Sequence, residues 1–152
     1  MKRILSLAIL MLSMMPFMSC ERYEDGRPSE DVRAEFNKMY PDAFDVEWEW
    51  DGTYWEVSFE VGKRPDGIEK EAWYDKSGKW IRTATDIPLS SVPQNIMKYL
   101  AMSPDYGNAS IVETEVKYIE TPSGNFYRFE LLLAEHRIKV DVNVNGVVSI
   151  AK

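Results

Sequence analysis

Thiols, imidazoles and long apolar runs are scarce in this chain of 152 residues. Its one cysteine, Cys20, cannot form an intramolecular disulfide, and its one histidine is His136. A Cys/His metal centre needs more ligands than that. His136 lies between Glu135 and Arg137, with no nucleophile elbow around any serine, and reads as an exposed turn residue. No glycine-rich phosphate loop occurs. The stretch Ile4 to Met15 falls short of the roughly 20 apolar residues that span a bilayer. Positive charge is also in deficit, with 18 Lys and Arg against 25 Asp and Glu, for a net charge of −7. A chain this acidic, with no basic stripe, repels phosphates, so nucleic acid is not an expected partner.

The N-terminus has the grammar of an export signal. Lys2 and Arg3 are basic, Ile4 to Met15 is apolar, and Phe17-Met18-Ser19 ends in a small residue before Cys20. The arrangement resembles the lipobox of bacterial lipoproteins, with Phe17 where leucine is usual. It implies cleavage after residue 19 and diacylglyceryl modification of Cys20, which anchors the mature chain to a membrane. The alternative is a plain cleaved signal with a free thiol. Losing Lys2 and Arg3 leaves 16 basic against 25 acidic residues, or −9 over 133 residues, which is enough for a real core. Residues 20–28, with Gly26 and Pro28, read as a tether.

From Ser29 the pattern is a helix and then alternation, stated twice. Ser29 is a good N-cap, Glu30 and Asp31 suit a helix start, and Val32, Phe36, Met39 and Tyr40 recur at helical spacing before Pro41. A second helix is expected from Ser91 or Val92, with Pro93 in its first turn, Ile96, Tyr99 and Leu100 as its apolar stripe, and Pro104 ending it. Period-2 strands follow each helix, and Asp75-x-x-Gly78 matches Asn143-x-x-Gly146. The expected architecture is α+β: two tandem units, 29–85 and 86–152, each a helix plus a four-stranded antiparallel meander. The helices lie on one face of the sheet and the other face is open.

The residues Phe36, Tyr40, Pro41, Ala43, Val46 and Trp48, with Trp73-Tyr74-Asp75, Gly78 and Trp80, resemble the β-lactamase-inhibitor-like, PepSY-like lipoprotein family. The likeness runs from about residue 29 to the end, and the second half keeps Pro104 and Gly146 but has valines where the tryptophans stood. It implies tandem helix-plus-strand units whose open sheet face can hold a protein partner. It carries over no catalytic residue.

Asp51-Gly52 predicts a two-residue hairpin pairing Trp48 with Trp55, Phe44 with Phe59, and Glu47 with Glu56 on the opposite face. If Val61 pairs with Ile68, then Glu60 faces Glu69, Ser58 faces Glu71 and Glu56 faces Trp73. The outcome is an acidic strip with aromatics at its margin, and the candidate partner-binding residues are Glu47, Glu49, Tyr54, Glu56, Glu60, Glu69, Glu71 and Trp73. Like charges set opposite one another weaken a sheet, which suggests a partner with a basic surface that neutralises them. The other reading is a merely solvated face on a structural or accessory envelope lipoprotein. Asp75-Lys76-Ser77-Gly78 lacks the later acidic ligands of a calcium loop, and a flat meander offers no cleft for paired carboxylates. The expectation is therefore a non-catalytic binding protein of the cell envelope, lipid-anchored on the periplasmic or outer-surface side, with no cofactor and no metal.

Overall fold

The structure, a computed structural model, describes residues 26–151. The signal, Cys20 and most of the tether lie outside the described residues. Ser29 starts helix α1 (Glu30–Met39): its Oγ accepts the Val32 N–H at 3.5 Å, and Glu30 and Asp31 occupy the positive end. Strands β1 (Phe44–Trp50), β2 (Trp55–Val61), β3 (Ile68–Tyr74) and β4 (Trp80–Pro88) follow. A 3-10 turn at Leu89–Ser91 then leads to α2 (Gln94–Ala101). Pro93 is itself the N-cap of α2, its carbonyl accepting from the N–H groups of Ile96 and Met97, and no side chain caps this end. The chain closes with β5 (Ser110–Ile111), β6 (Glu115–Thr121), β7 (Gly124–Leu133), β8 (His136–Asn143) and β9 (Val148–Ile150).

The expectation of two helix-plus-four-strand units is overturned. The described residues form one antiparallel sheet of nine strands with two helices laid on it, in the order β1-β2-β3-β4-β6-β7-β8-β9, with β5 pairing on β7. The reason lies in β4. Its register with β6, from Thr83 opposite Glu120 to Pro88 opposite Glu115, joins the halves through a full ladder. The halves also differ in plan. After α2 the chain leaves the strand conformation between Ile111 and Glu115, so five strands follow α2 where four follow α1. Val112 N–H still reaches the Glu130 carbonyl at 3.1 Å across that gap.

Side chains directly opposite in an antiparallel ladder share a face, which assigns the core. Val32 and Phe36 of α1 pack on Trp55, Val57, Phe59, Ala72 and Tyr74. Val92 with Ile96 and Leu100 of α2 packs on Val116, Phe129, Leu131, Val140 and Val142. The ladder Lys70–Thr85–Tyr118–Tyr127–Val142 links the two sets, so both helices cover the same face. The other face, the open face, carries a smaller buried cluster of its own: Trp73, Ala84 and Ile119, flanked by Tyr54, Ile81 and Phe126.

Two corrections of register matter for the site. The β1–β2 connection is a four-residue loop, Asp51 to Tyr54, because Asp51 Oδ1 accepts from both Thr53 N–H (2.7 Å) and Tyr54 N–H (2.6 Å). Trp50 therefore pairs with Trp55, Trp48 with Val57 and Glu49 with Glu56. The slide from the expected pairing is two residues, which preserves faces. The second change does not preserve them. A bulge lies between Phe44 and Glu47, where Asp45 has φ 50°, and it brings Phe44 opposite Glu60 on the open face, away from Phe59. Phe44 is buried there beneath the Arg64 guanidinium, 4.4 Å from the ring centroid.

Candidate functional site on the open sheet face

Three zones follow one another across the open face. The first, on β1 to β3, is acidic. Glu49 faces Glu56 and Glu60 faces Glu69, with Glu47 opposite Ser58 and Ser58 opposite Glu71. Glu47, Glu49 and Glu69 are exposed, while Glu56, Glu60 and Glu71 are half-buried. The β2–β3 register is the one expected from the sequence. The structure therefore brings the six predicted glutamates together on one surface. Of these six glutamates, only Glu71 forms an ion pair among the described residues, with Lys117 at 3.2 Å.

The second zone is the apolar centre. Trp73 was expected at an exposed margin, yet only 8% of it remains accessible. Its indole N–H donates to Glu56 Oε2 at 2.9 Å, and the Arg82 guanidinium stacks over the ring at 4.0 Å. An extra residue in β4 between Trp80 and Arg82 sets that stack, since Tyr74 pairs with Trp80 and Trp73 with Arg82. Tyr54 is half-buried beside this cluster. Trp73 thus holds the face together from below, and the accessible rings are those of Tyr54 and Phe126.

The third zone carries both signs of charge around a concavity of about 220 Å³, lined by Asp86, Glu113, Glu115, Lys117, Arg128, Glu130 and Lys139. Burial alone would lower the Lys117 pKa, but contacts with Asp86 (3.1 Å) and Glu71 outweigh it and hold the ammonium above its usual value. Arg128 makes a two-pronged contact with Asp141, Nε to Oδ1 at 2.8 Å and the terminal nitrogen to Oδ2 at 2.9 Å, which raises the guanidinium pKa further. Arg137 binds Glu130 at 2.7 Å and Glu113 at 3.5 Å. Arg82, Asp86 and Phe126 escaped the sequence reading. The alternation Arg82-x-Ala84-x-Asp86 in β4 was the signal that could have placed two of them.

Among the described residues, no group of three or more histidine, cysteine or carboxylate side chains is placed to hold a metal ion, and no helix is long and apolar enough to cross a membrane. A family described as "Putative beta-lactamase-inhibitor-like, PepSY-like" matches residues 53–148, well over half the sequence. The chain belongs to this PepSY-like family. No curated protein matches this PepSY-like chain significantly. Solved structures do resemble it in fold. A DUF2874 family protein from Bacteroides uniformis ATCC 8492 aligns with a TM-score of 0.66 at 23% identity, covering 80% of this chain and 86% of that one. A BLIP-like protein from Bacteroides fragilis NCTC 9343 gives 0.63 at 23%, covering 83% and 84%. A protein from Bacteroides eggerthii DSM 20697, described as "putative periplasmic", gives 0.64 at 20%, covering 81% and 86%.

Proposed function

We propose that this PepSY-like protein is exported and lipid-anchored through Cys20, on the periplasmic or outer-surface side of the envelope. There it binds a protein partner with a basic surface through the open sheet face and performs no chemistry of its own. One observation carries the reading: Glu49 opposite Glu56, and Glu60 opposite Glu69, face each other with no cation of the chain paired to them among the described residues. Repulsion of this kind destabilises a sheet by a few tenths of a kcal/mol per pair. A cationic partner converts that cost into attraction and faster encounter. The inhibitor-like description of the family is consistent with this, because an inhibitor acts by occupying a surface and needs no catalytic groups.

The test replaces Glu49, Glu56, Glu60 and Glu69 together with glutamine. The expected result is an equal or raised melting temperature with loss of salt-sensitive capture of basic envelope proteins. Capture that is identical for the quadruple variant and the parent would make the acidic zone a solvated surface of an envelope accessory protein. Trp73→Ala is the wrong probe, because that ring is buried beneath Arg82.

A further inference from the structure

The two outer edges of the sheet are built differently. The β1 edge is defended: it carries a bulge at Asp45, the carboxylates of Glu47 and Glu49, and Arg64 folded over Phe44 within 3.8 Å of Asp45. At the β9 edge none of these devices is present. Ala151 N–H donates to the Lys139 carbonyl at 2.8 Å, and Asn143 N–H donates to the Val147 carbonyl at 3.0 Å. Residues 147, 149 and 151 therefore turn their backbone groups toward β8. By alternation, Val148 and Ile150 turn their N–H and C=O groups outward, and among the described residues no strand lies beyond them.

Apolar surface gathers at the same place. Of the eight large hydrophobic residues that stay exposed among the described residues, four lie here: Met102, Val144, Val147 and Ile150, with Ile150 56% accessible. A groove of about 580 Å³ runs between α2 and β9, its walls including Lys98, Tyr99, Met102, Asp105, Gly146 and Val148. Among the described residues that line it, Lys98 and Asp105 are the only charged ones, so the groove has no net charge on a protein of net charge −7.

We propose that the β9 edge is a homodimer interface, in which β9 of a second copy pairs antiparallel with it about a two-fold axis at Ser149. The pairing is self-complementary. Val148 of one copy exchanges both backbone hydrogen bonds with Ile150 of the other, and Ile150 does so with Val148. The apolar side chains of both meet on the helix face, where Tyr99 and Met102 of each copy close over them. A β1–β1 contact would instead juxtapose Glu47 and Glu49 with themselves. The neutral groove removes that penalty at β9. Dimerisation here leaves both acidic faces free, so it is independent of the partner-binding function.

Sedimentation of the full chain in mild detergent tests the proposal, with a monomer–dimer equilibrium as the expected result. Ile150→Lys puts charge in the seam. Ile150→Pro removes a donor that faces outward, leaving the β8–β9 ladder intact. Each should weaken the dimer by about tenfold or more, because a symmetric interface feels every change twice. Ser149→Cys gives an independent reading, since non-hydrogen-bonded cross-strand residues sit about 4.5 Å apart, within disulfide reach. It should form oxidised dimer beyond any formed by the parent, which keeps Cys20. The proposal is overturned by a chain that stays monomeric to about 1 mM, by Ile150 variants that dimerise like the parent, or by no added cross-link at position 149.

Discussion

Asp51 and Asp75 each organise a turn with a single carboxylate oxygen. Asp51 Oδ1 takes the N–H groups of Tyr54 and Thr53, and these bonds hold its pKa below the usual 3.8. Asp75 is lowered chiefly by the Ser77 hydroxyl at 2.6 Å, then by the N–H groups of Lys79 and Ser77. A carboxylate whose pKa drops on folding adds stability that is complete above its unfolded value and is lost as pH falls through the folded one. Melting temperature should therefore be level from about pH 7 to pH 5 and fall below about pH 4. Asp51→Ala should flatten that acid limb; an unchanged limb would refute the assignment. Trp73 gives a second prediction at this scale. Removing a buried indole that anchors a cluster should cost about 3 kcal/mol in chemical denaturation. Its neighbour Glu56 was legible from the strand register, but Arg82 was not, because only the fold brings that guanidinium over the ring.

Helix α1 docks through Val32 and Phe36, and Phe36 is the larger anchor. Phe36 is 2% accessible and meets the rings of Tyr40, Trp48, Phe59 and Tyr74 at centroid distances of 4.9 to 6.4 Å, most of them edge-on. Phe36→Ala should destabilise the protein by about 3 to 5 kcal/mol, measured by urea unfolding, because the cavity opens among rings that cannot collapse inward. A loss below about 1 kcal/mol would mean that α1 is not docked as described. The turn that supports this helix also shows why glycine stands at position 78. Gly78 has φ 87°, and a β-carbon there would come within 3.2 Å of the Asp31 carbonyl oxygen. Gly146 repeats the device beside Tyr99 of α2. The spacing Asp-x-x-Gly and Asn-x-x-Gly announced both turns, whereas the docking of each turn against its helix was not legible.

Over the whole molecule, the acidic zone on β1 to β3 and the ion-paired zone on β6 to β8 divide the open face by charge. The quadruple glutamine variant and the Ile150 variants act at opposite ends of this sheet, so their effects should be separable. The first should alter partner capture without changing self-association. The second should alter self-association without changing capture. Cross-talk in either assay would mean that the two surfaces are not independent.

Period-2 alternation by itself determined which side chains share a face, because that property survives any slide of two residues. Trp48 and Glu49 stayed on their expected sides although the β1–β2 pairing moved. Capping and turn chemistry likewise placed α1 and the Asp75 and Asn143 turns. Tertiary structure alone decided the rest. The bulge at Asp45 is an odd-numbered shift, so it turned Phe44 to the opposite face. The β4–β6 ladder made one sheet of two expected units, since pairing between distant strands depends on which edges meet. Burial then took Trp73 from the accessible surface, and the strand order placed β9 at an edge, with no strand beyond it among the described residues.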